Sequence, residues 1–163
     1  MRIYYAVEAN TIIEEVPEFK ALIFSETNIF DSYEGIFIFE TKEAASQLEI
    51  LLEEAGLLES QFELILAKDG IKGETFADFG FVTEHCTYLL HDLVCSFSIK
   101  GGDKISIEMA NLQLHEHLIY ESYLENKPIY FIERHLKDLV KGIANAYDIE
   151  VSFFELDKQS KKL

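Results

Sequence analysis

Basic side chains are scarce in this 163-residue chain: fourteen lysines and arginines face thirty aspartates and glutamates, for a formal charge of −16. A phosphate-backbone binder needs Lys and Arg to release counterions, so direct nucleic-acid binding is not expected. Docking on an anionic membrane surface is disfavoured for the same reason. Cysteine is sparse too. Eight residues separate Cys86 from Cys95 and there is no Cys-x-x-Cys, a pattern that fits two reduced thiols and leaves one disulfide open. Long apolar runs are absent, none approaching the roughly 20 residues of a membrane span. The opening Met1-Arg2-Ile3-Tyr4-Tyr5-Ala6-Val7 turns polar at Glu8, too short for a signal-peptide core, so a cytoplasmic protein is expected. Gly70-Ile71-Lys72-Gly73 lacks the rest of a phosphate-loop spacing, and Gly-x-Ser-x-Gly, His-Glu-x-x-His and calcium-loop patterns are missing.

What is present is core. The chain is 48% apolar and 13% aromatic, which excludes disorder despite the charge. Its length suggests a single globular domain over residues 1–157 with a frayed basic tail at 158–163. The charge is uneven: residues 1–67 hold fourteen acids and three bases, a net of −11, and residues 68–163 hold the other −5. Cofactors are not implied.

Residues 2–8 read as a strand, and Pro17 can open a short helix through Phe24. Gly35 releases Ile36-Phe37-Ile38-Phe39, a run suited to a strand covered on both faces. Thr41 can cap a helix over residues 42–55 with Gly56 as its stop, and residues 62–67 alternate as a strand. A second strand–helix–strand pattern follows Pro128: a strand at 129–132, a helix over 133–147 and a strand from Ile149. In that helix Leu136, Leu139, Val140, Ile143 and Tyr147 form an apolar stripe, with Glu133 and Arg134 spaced to pair with Lys137 and Asp138. The two patterns share no residues, and strand–helix–strand is common enough to recur by coincidence. Between them, the alternation on either side of Gly101-Gly102 predicts a β-hairpin of residues 93–100 and 104–109 with one wet face. Residues 112–125 lean helical, with Asn126-Lys127-Pro128 as their stop. The expected fold class is α+β, a mixed or mostly antiparallel sheet packed by two amphipathic helices.

His115-Glu116-His117 is the sharpest local constellation. On a strand, His115, His117 and Glu121 share a face and could ligate one Zn²⁺ or Fe²⁺; on a helix the two imidazoles diverge. The string His-x-His-x-x-x-Glu resembles the core of the first cupin motif over seven residues. Met109 and Pro128 stand where that motif has glycines, so the family is not assigned. Glu84-His85-Cys86 with His91-Asp92 invites a thiolate reading, but neighbouring residues seldom point at each other, and Cys86 reads as a small core residue. On the helix at 42–55, Ala44, Ala45, Leu48, Leu51, Leu52 and Ala55 fill one arc. Glu43, Gln47, Glu49, Glu53 and Glu54 fill the other, with Ile50 among them as an interface anchor or a residue tucked under a loop.

Three functions fit these features. The first is an acidic binding or inhibitory protein that covers a basic surface of a protein partner, as immunity proteins and nucleic-acid mimics do. The others are a metal-dependent enzyme using His115, His117 and Glu121, and an oligomeric structural module.

Overall fold

The computed structural model describes residues 1–155, so the expected tail at 158–163 lies outside the described residues. The class is α+β, with helices and antiparallel sheets in equal share. Among the described residues five α-helices and two sheets form, where one sheet packed by two amphipathic helices was expected. The chain divides into two compact units: Met1–Leu66 with Val82–Tyr88, and Ala67–Phe81 with everything from Leu89 onward.

In the first unit the order is β1 (Arg2–Ala9), α1 (Pro17–Glu26), β2 (Asp31–Tyr33), β3 (Ile36–Phe39), α2 (Lys42–Glu54) and β4 (Leu58–Ala67). β1 lies between β3 and β4, antiparallel to both, and β2 pairs with β3. The sheet runs β2-β3-β1-β4 and continues through β7 (Thr87–Leu90) to β6 (Gly80–Val82). One face carries Val7, Ala9, Phe37 and Phe39, which pack with Ile23 of α1 and Ala45, Leu48 and Leu52 of α2. Each buried Val, Ile, Leu or Phe among them contributes roughly 1.5–3 kcal/mol. Ile38 is also fully buried, so the run Ile36–Phe39 is covered on both faces as its sequence suggests.

The second unit begins with β5 (Gly70–Lys72) and the one-turn helix α3 (Phe76–Phe79). It continues with β8 (Val94–Gly101), α4 (Lys104–His115), β9 (Leu118–Leu124), β10 (Lys127–Glu133), α5 (Lys137–Ala146) and β11 (Glu150–Phe153). β8 lies between β10 and β11, antiparallel to both, and β9 pairs with β10. The order β11-β8-β10-β9 is extended at its outer edge by β5. Cys95, Phe97, Ile99, Tyr130 and Ile132 pack with Ala110 and Leu114 of α4 and Val140 and Ile143 of α5.

Numbering the strands within each set of six elements gives the spatial order 4-1-3-2 twice. This is the split β-α-β, or ferredoxin-like, arrangement. The recurring pattern therefore spans six elements, not three, and its details recur too. β2 and β3 are joined by Glu34-Gly35 at φ of 45° and 85°, and β9 and β10 by Glu125-Asn126 at 49° and 63°. Both are two-residue hairpin loops of the left-handed kind that suits strand twist. α2 ends with Leu57 N–H donating to the Leu52 carbonyl, and α5 with Ile149 N–H donating to the Ala144 carbonyl, the same six-to-one closure. Gly56 takes the left-handed position in the first case and Asp148 in the second.

Three sequence expectations fail here. Residues 104–109 are the first half of α4, not a hairpin strand, because Asp103 caps the helix by accepting from Ser106 N–H and Oγ at 3.0 and 2.6 Å. The alternation of Ile105 and Ile107 misled because α4 is apolar on two sides: Ala110 and Leu114 face the core while Ile105, Met109 and Leu112 face out. The expected wet face of β8 is dry, with Ser96 and Ser98 buried. Residues 112–125 split between the end of α4 and β9, and Lys127 and Pro128 belong to β10. Residues 133–147 are not one helix either. Glu133 ends β10 and a 3-10 turn precedes α5, so Arg134 donates to the His91 carbonyl and Asp138 pairs with Lys141.

Candidate interaction surface

α2 is set by its cap and by its apolar period. Thr41 accepts from Ala44 N–H at 3.2 Å, an N-cap worth about 1 kcal/mol. Burial of Ala45, Leu48 and Leu52 then fixes the helix's rotation, leaving Glu43, Gln47, Ile50, Glu53 and Glu54 exposed. Ile50 is 57% exposed, so no loop covers it. Glu49 is half-buried at the edge of the face, where the Gln61 amide nitrogen, turned toward it, donates to both carboxylate oxygens at 2.7 Å.

Gln61 shows that the acidic face is wider than the helix. It stands on β4 opposite Val7, a core residue beneath α2, and Glu63 stands opposite Tyr5 on the same side. Burial pushes the Tyr5 phenol above its usual range, and the Glu63 and Glu43 carboxylates push it further. Both carboxylates therefore act on this one ring, one from the sheet and one from the helix. Glu59 accepts a hydrogen bond from the Asn10 amide. The sequence carried a signal for this extension in the alternation Glu59, Gln61, Glu63 against Phe62, Leu64, Leu66.

Little positive charge offsets these groups. The first unit holds fifteen acids and three bases, a net of −12. Of the bases, Arg2 pairs with Glu40 at 3.0 Å and Lys20 with Glu14 at 2.7 Å. Comparison with protein families, characterised proteins and solved structures finds no match to the chain.

The other candidates disperse. His115 is the last residue of α4, His117 lies in the turn beyond it with its N–H on the Leu114 carbonyl, and Glu121 is on β9. His115 and Glu121 line one cleft of about 510 Å³ and His117 is not among its walls. Among the described residues no three His, Cys, Asp or Glu side chains converge as a metal site. Glu121 accepts instead from the Tyr123 hydroxyl at 2.8 Å.

Both thiols are free and half-buried. Cys95 faces the second core and burial pushes its thiol up, away from the reactive thiolate. Cys86 follows a local turn in which Thr83 Oγ accepts from the N–H groups of His85 and Cys86 at 3.2 and 2.9 Å. That hydroxyl donates to Asp31 at 2.6 Å, and Tyr88 donates to the same oxygen at 3.0 Å. The contacts to His85 and Cys86 order the local turn, and the two to Asp31 tie Thr83, and Tyr88 of β7, to β2. His91 is buried, with its ring 3.3 Å from Asp92.

Proposed function

We propose that the chain is a cytoplasmic acidic binding or inhibitory protein that covers a basic surface of a protein partner, as immunity proteins and nucleic-acid mimics do. One observation carries the reading: Ile50 stands exposed among the exposed carboxylates of Glu43, Glu53 and Glu54. An apolar anchor in a charged rim is the pattern of a docking face, in which the rim steers and the anchor is desolvated. The net of −12 on the unit that carries α2 strengthens the long-range attraction to a basic surface. No helix of the described residues is long and apolar enough to cross a membrane.

The test is capture of partners from the native host at rising salt, using the wild-type chain and a Glu43→Lys, Glu53→Lys, Glu54→Lys variant. A basic protein held at low salt, released as salt rises and lost by the variant supports the reading. Recovery of no basic partner at low salt overturns it.

Self-association is the second reading, favoured by the outward ridge of Ile105, Met109 and Leu112 on α4, exposed at 72%, 46% and 69%. Light scattering checks it, and a strict monomer at high salt, where the charge is screened, removes it.

A further inference from the structure

The outward ridge of α4 carries a pattern of its own. Ile105, Met109 and Leu112 follow the four-then-three spacing of a coiled-coil seam and fall within about 60° of one another around the helix. Ala110 and Leu114 fill the opposite side, in the core. Scattered exposed apolar residues are ordinary, but three in line on a capped helix make a continuous stripe. Glu116, at the C-cap, continues the seam by one place.

Polar residues border the stripe unequally. Glu108 and His115 stand about 20° apart on one flank, both exposed, with Lys104 beyond them and 3.9 Å from Glu108. Ser106 and Gln113 border the other flank, where the Gln113 amide donates to the Tyr147 hydroxyl at 2.7 Å and so is held toward the end of α5. A two-fold axis perpendicular to the helix lays it antiparallel to its copy and brings each flank against the same flank. With Met109 opposite Leu112 of the other copy, Glu108 comes within about 3 Å, along the axis, of that copy's His115, and Lys104 within about 2 Å of its Glu116. Each contact occurs twice. A carboxylate meets an imidazole N–H donor in the first pair and an ammonium in the second. Opposed helix dipoles add to the attraction. A parallel pair would set Glu108 and His115 against Ser106 and Gln113 and align the dipoles, so the charges select the antiparallel one. Copies joined here also meet through the unit of net −4 rather than that of −12.

We propose that α4 is a homodimer interface, its stripe packed antiparallel on α4 of a second copy of this chain, with Glu108 paired to His115 and Lys104 to Glu116 across the two-fold. This rests on the self-association reading and adds to it the helix, the direction and the register. One twelve-residue helix offers less than the roughly 800 Å² per partner of a standard interface. The pair is therefore weak, with Kd on the order of 100 μM.

The test is sedimentation analysis of the full chain from about 10 μM to about 1 mM, at about 0.15 M and about 0.5 M salt, with folding checked by circular dichroism. A monomer–dimer equilibrium that stops at the dimer is expected, because a two-fold face is used up in one contact. Met109→Lys should weaken it at least about tenfold, and Ile50→Lys, on α2, should leave it within about twofold. Glu108→Lys and His115→Glu should each weaken it alone. Mixed in equal amounts, those two variants should associate more tightly than either by itself, since the introduced lysine then faces the introduced glutamate. Within one chain positions 108 and 115 lie about 10 Å apart along the helix, so only a contact between copies gives that rescue. A strict monomer at both salts overturns the proposal together with the self-association reading. Association unchanged by a folded Met109→Lys, growth beyond the dimer, or a mixture no tighter than its components overturns the proposal and leaves that reading standing.

Discussion

In the first repeat the helix between the third and fourth strands turns Glu43, Gln47, Glu53 and Glu54 to solvent. In the second, the helix in the same place turns out Asp138, Leu139, Lys141 and Gly142. Inside, the two are alike: a central strand flanked by antiparallel partners, two helices over one face, and a left-handed closure after the second helix. The core and the turns set the order of elements, and they leave the solvent face free to differ. The charge follows the division into units, −12 in one and −4 in the other. A shared topology carries no function by itself, so the proposed function rests on the face that differs.

The comparison can be broken most directly in the cores. Phe37→Ala and Phe97→Ala each delete a fully buried ring, one per repeat, and each should cost about 3–5 kcal/mol in chemical denaturation. Costs that differ by more than about 2 kcal/mol would show that the repeats are not equivalent in packing. Next in size is binding. Reversing Glu43, Glu53 and Glu54 to Lys should weaken capture of a basic partner by about a hundredfold, whereas Asp138→Lys on α5 should change it by no more than about twofold, read by titration calorimetry.

The helix caps give a smaller and sharper contrast. Thr41→Ala should cost about 1 kcal/mol at every pH, because the cap of α2 is neutral. The α4 cap is ionised: its hydrogen bonds from the Ser106 hydroxyl and N–H hold the Asp103 carboxyl below its usual range. A folded-state value depressed in this way adds stability above the unfolded value, about 3.9, and loses it as pH falls through the depressed one. Asp103→Ala should therefore matter at neutral pH and not in strong acid, as measured by thermal melts. Smallest is the effect of salt. Raising ionic strength from about 0.02 to about 0.5 M should slow amide exchange in the first unit more than in the second, by at most about 1 kcal/mol of opening free energy.

Most elements of the first repeat were legible because they carry their own punctuation, the three-residue β2 excepted. Gly35 marks the start of β3, and Thr41 and Gly56 bracket α2. Ile36–Phe39 is apolar throughout because both its faces are buried. In the second repeat the signals compete. Asp103 is the cap that should have marked α4, but Gly101-Gly102 before it reads as a hairpin turn and the helix has no single polar face. Asp148 does the work of a C-terminal glycine with a residue that rarely adopts φ of 54°. The helix half of the acidic face could be read from a 100° rotation per residue. The strand half showed its polar alternation but not its place beside α2, because the side of the sheet that meets α2 is fixed by long-range pairing of β1 with β4, which local pattern does not encode. His115, His117 and Glu121 share a face only on a single strand, and the helix end at His115 leaves His117 outside the cleft that the other two line.

The units are interleaved along the chain, and this constrains any attempt to prepare them apart. Ala67–Phe81 belongs with the residues after Leu89, yet Val82–Tyr88 belongs with the residues before Ala67. No single cut yields two whole halves. A protease nick near Leu89 strands β5 on the fragment that lacks β9, and one near Ala67 deprives the first unit of Thr83 and Tyr88, the donors to Asp31. During synthesis the same connectivity makes β5 wait for a partner about fifty residues downstream, so its pairing is a late step, favoured only once β9 has emerged.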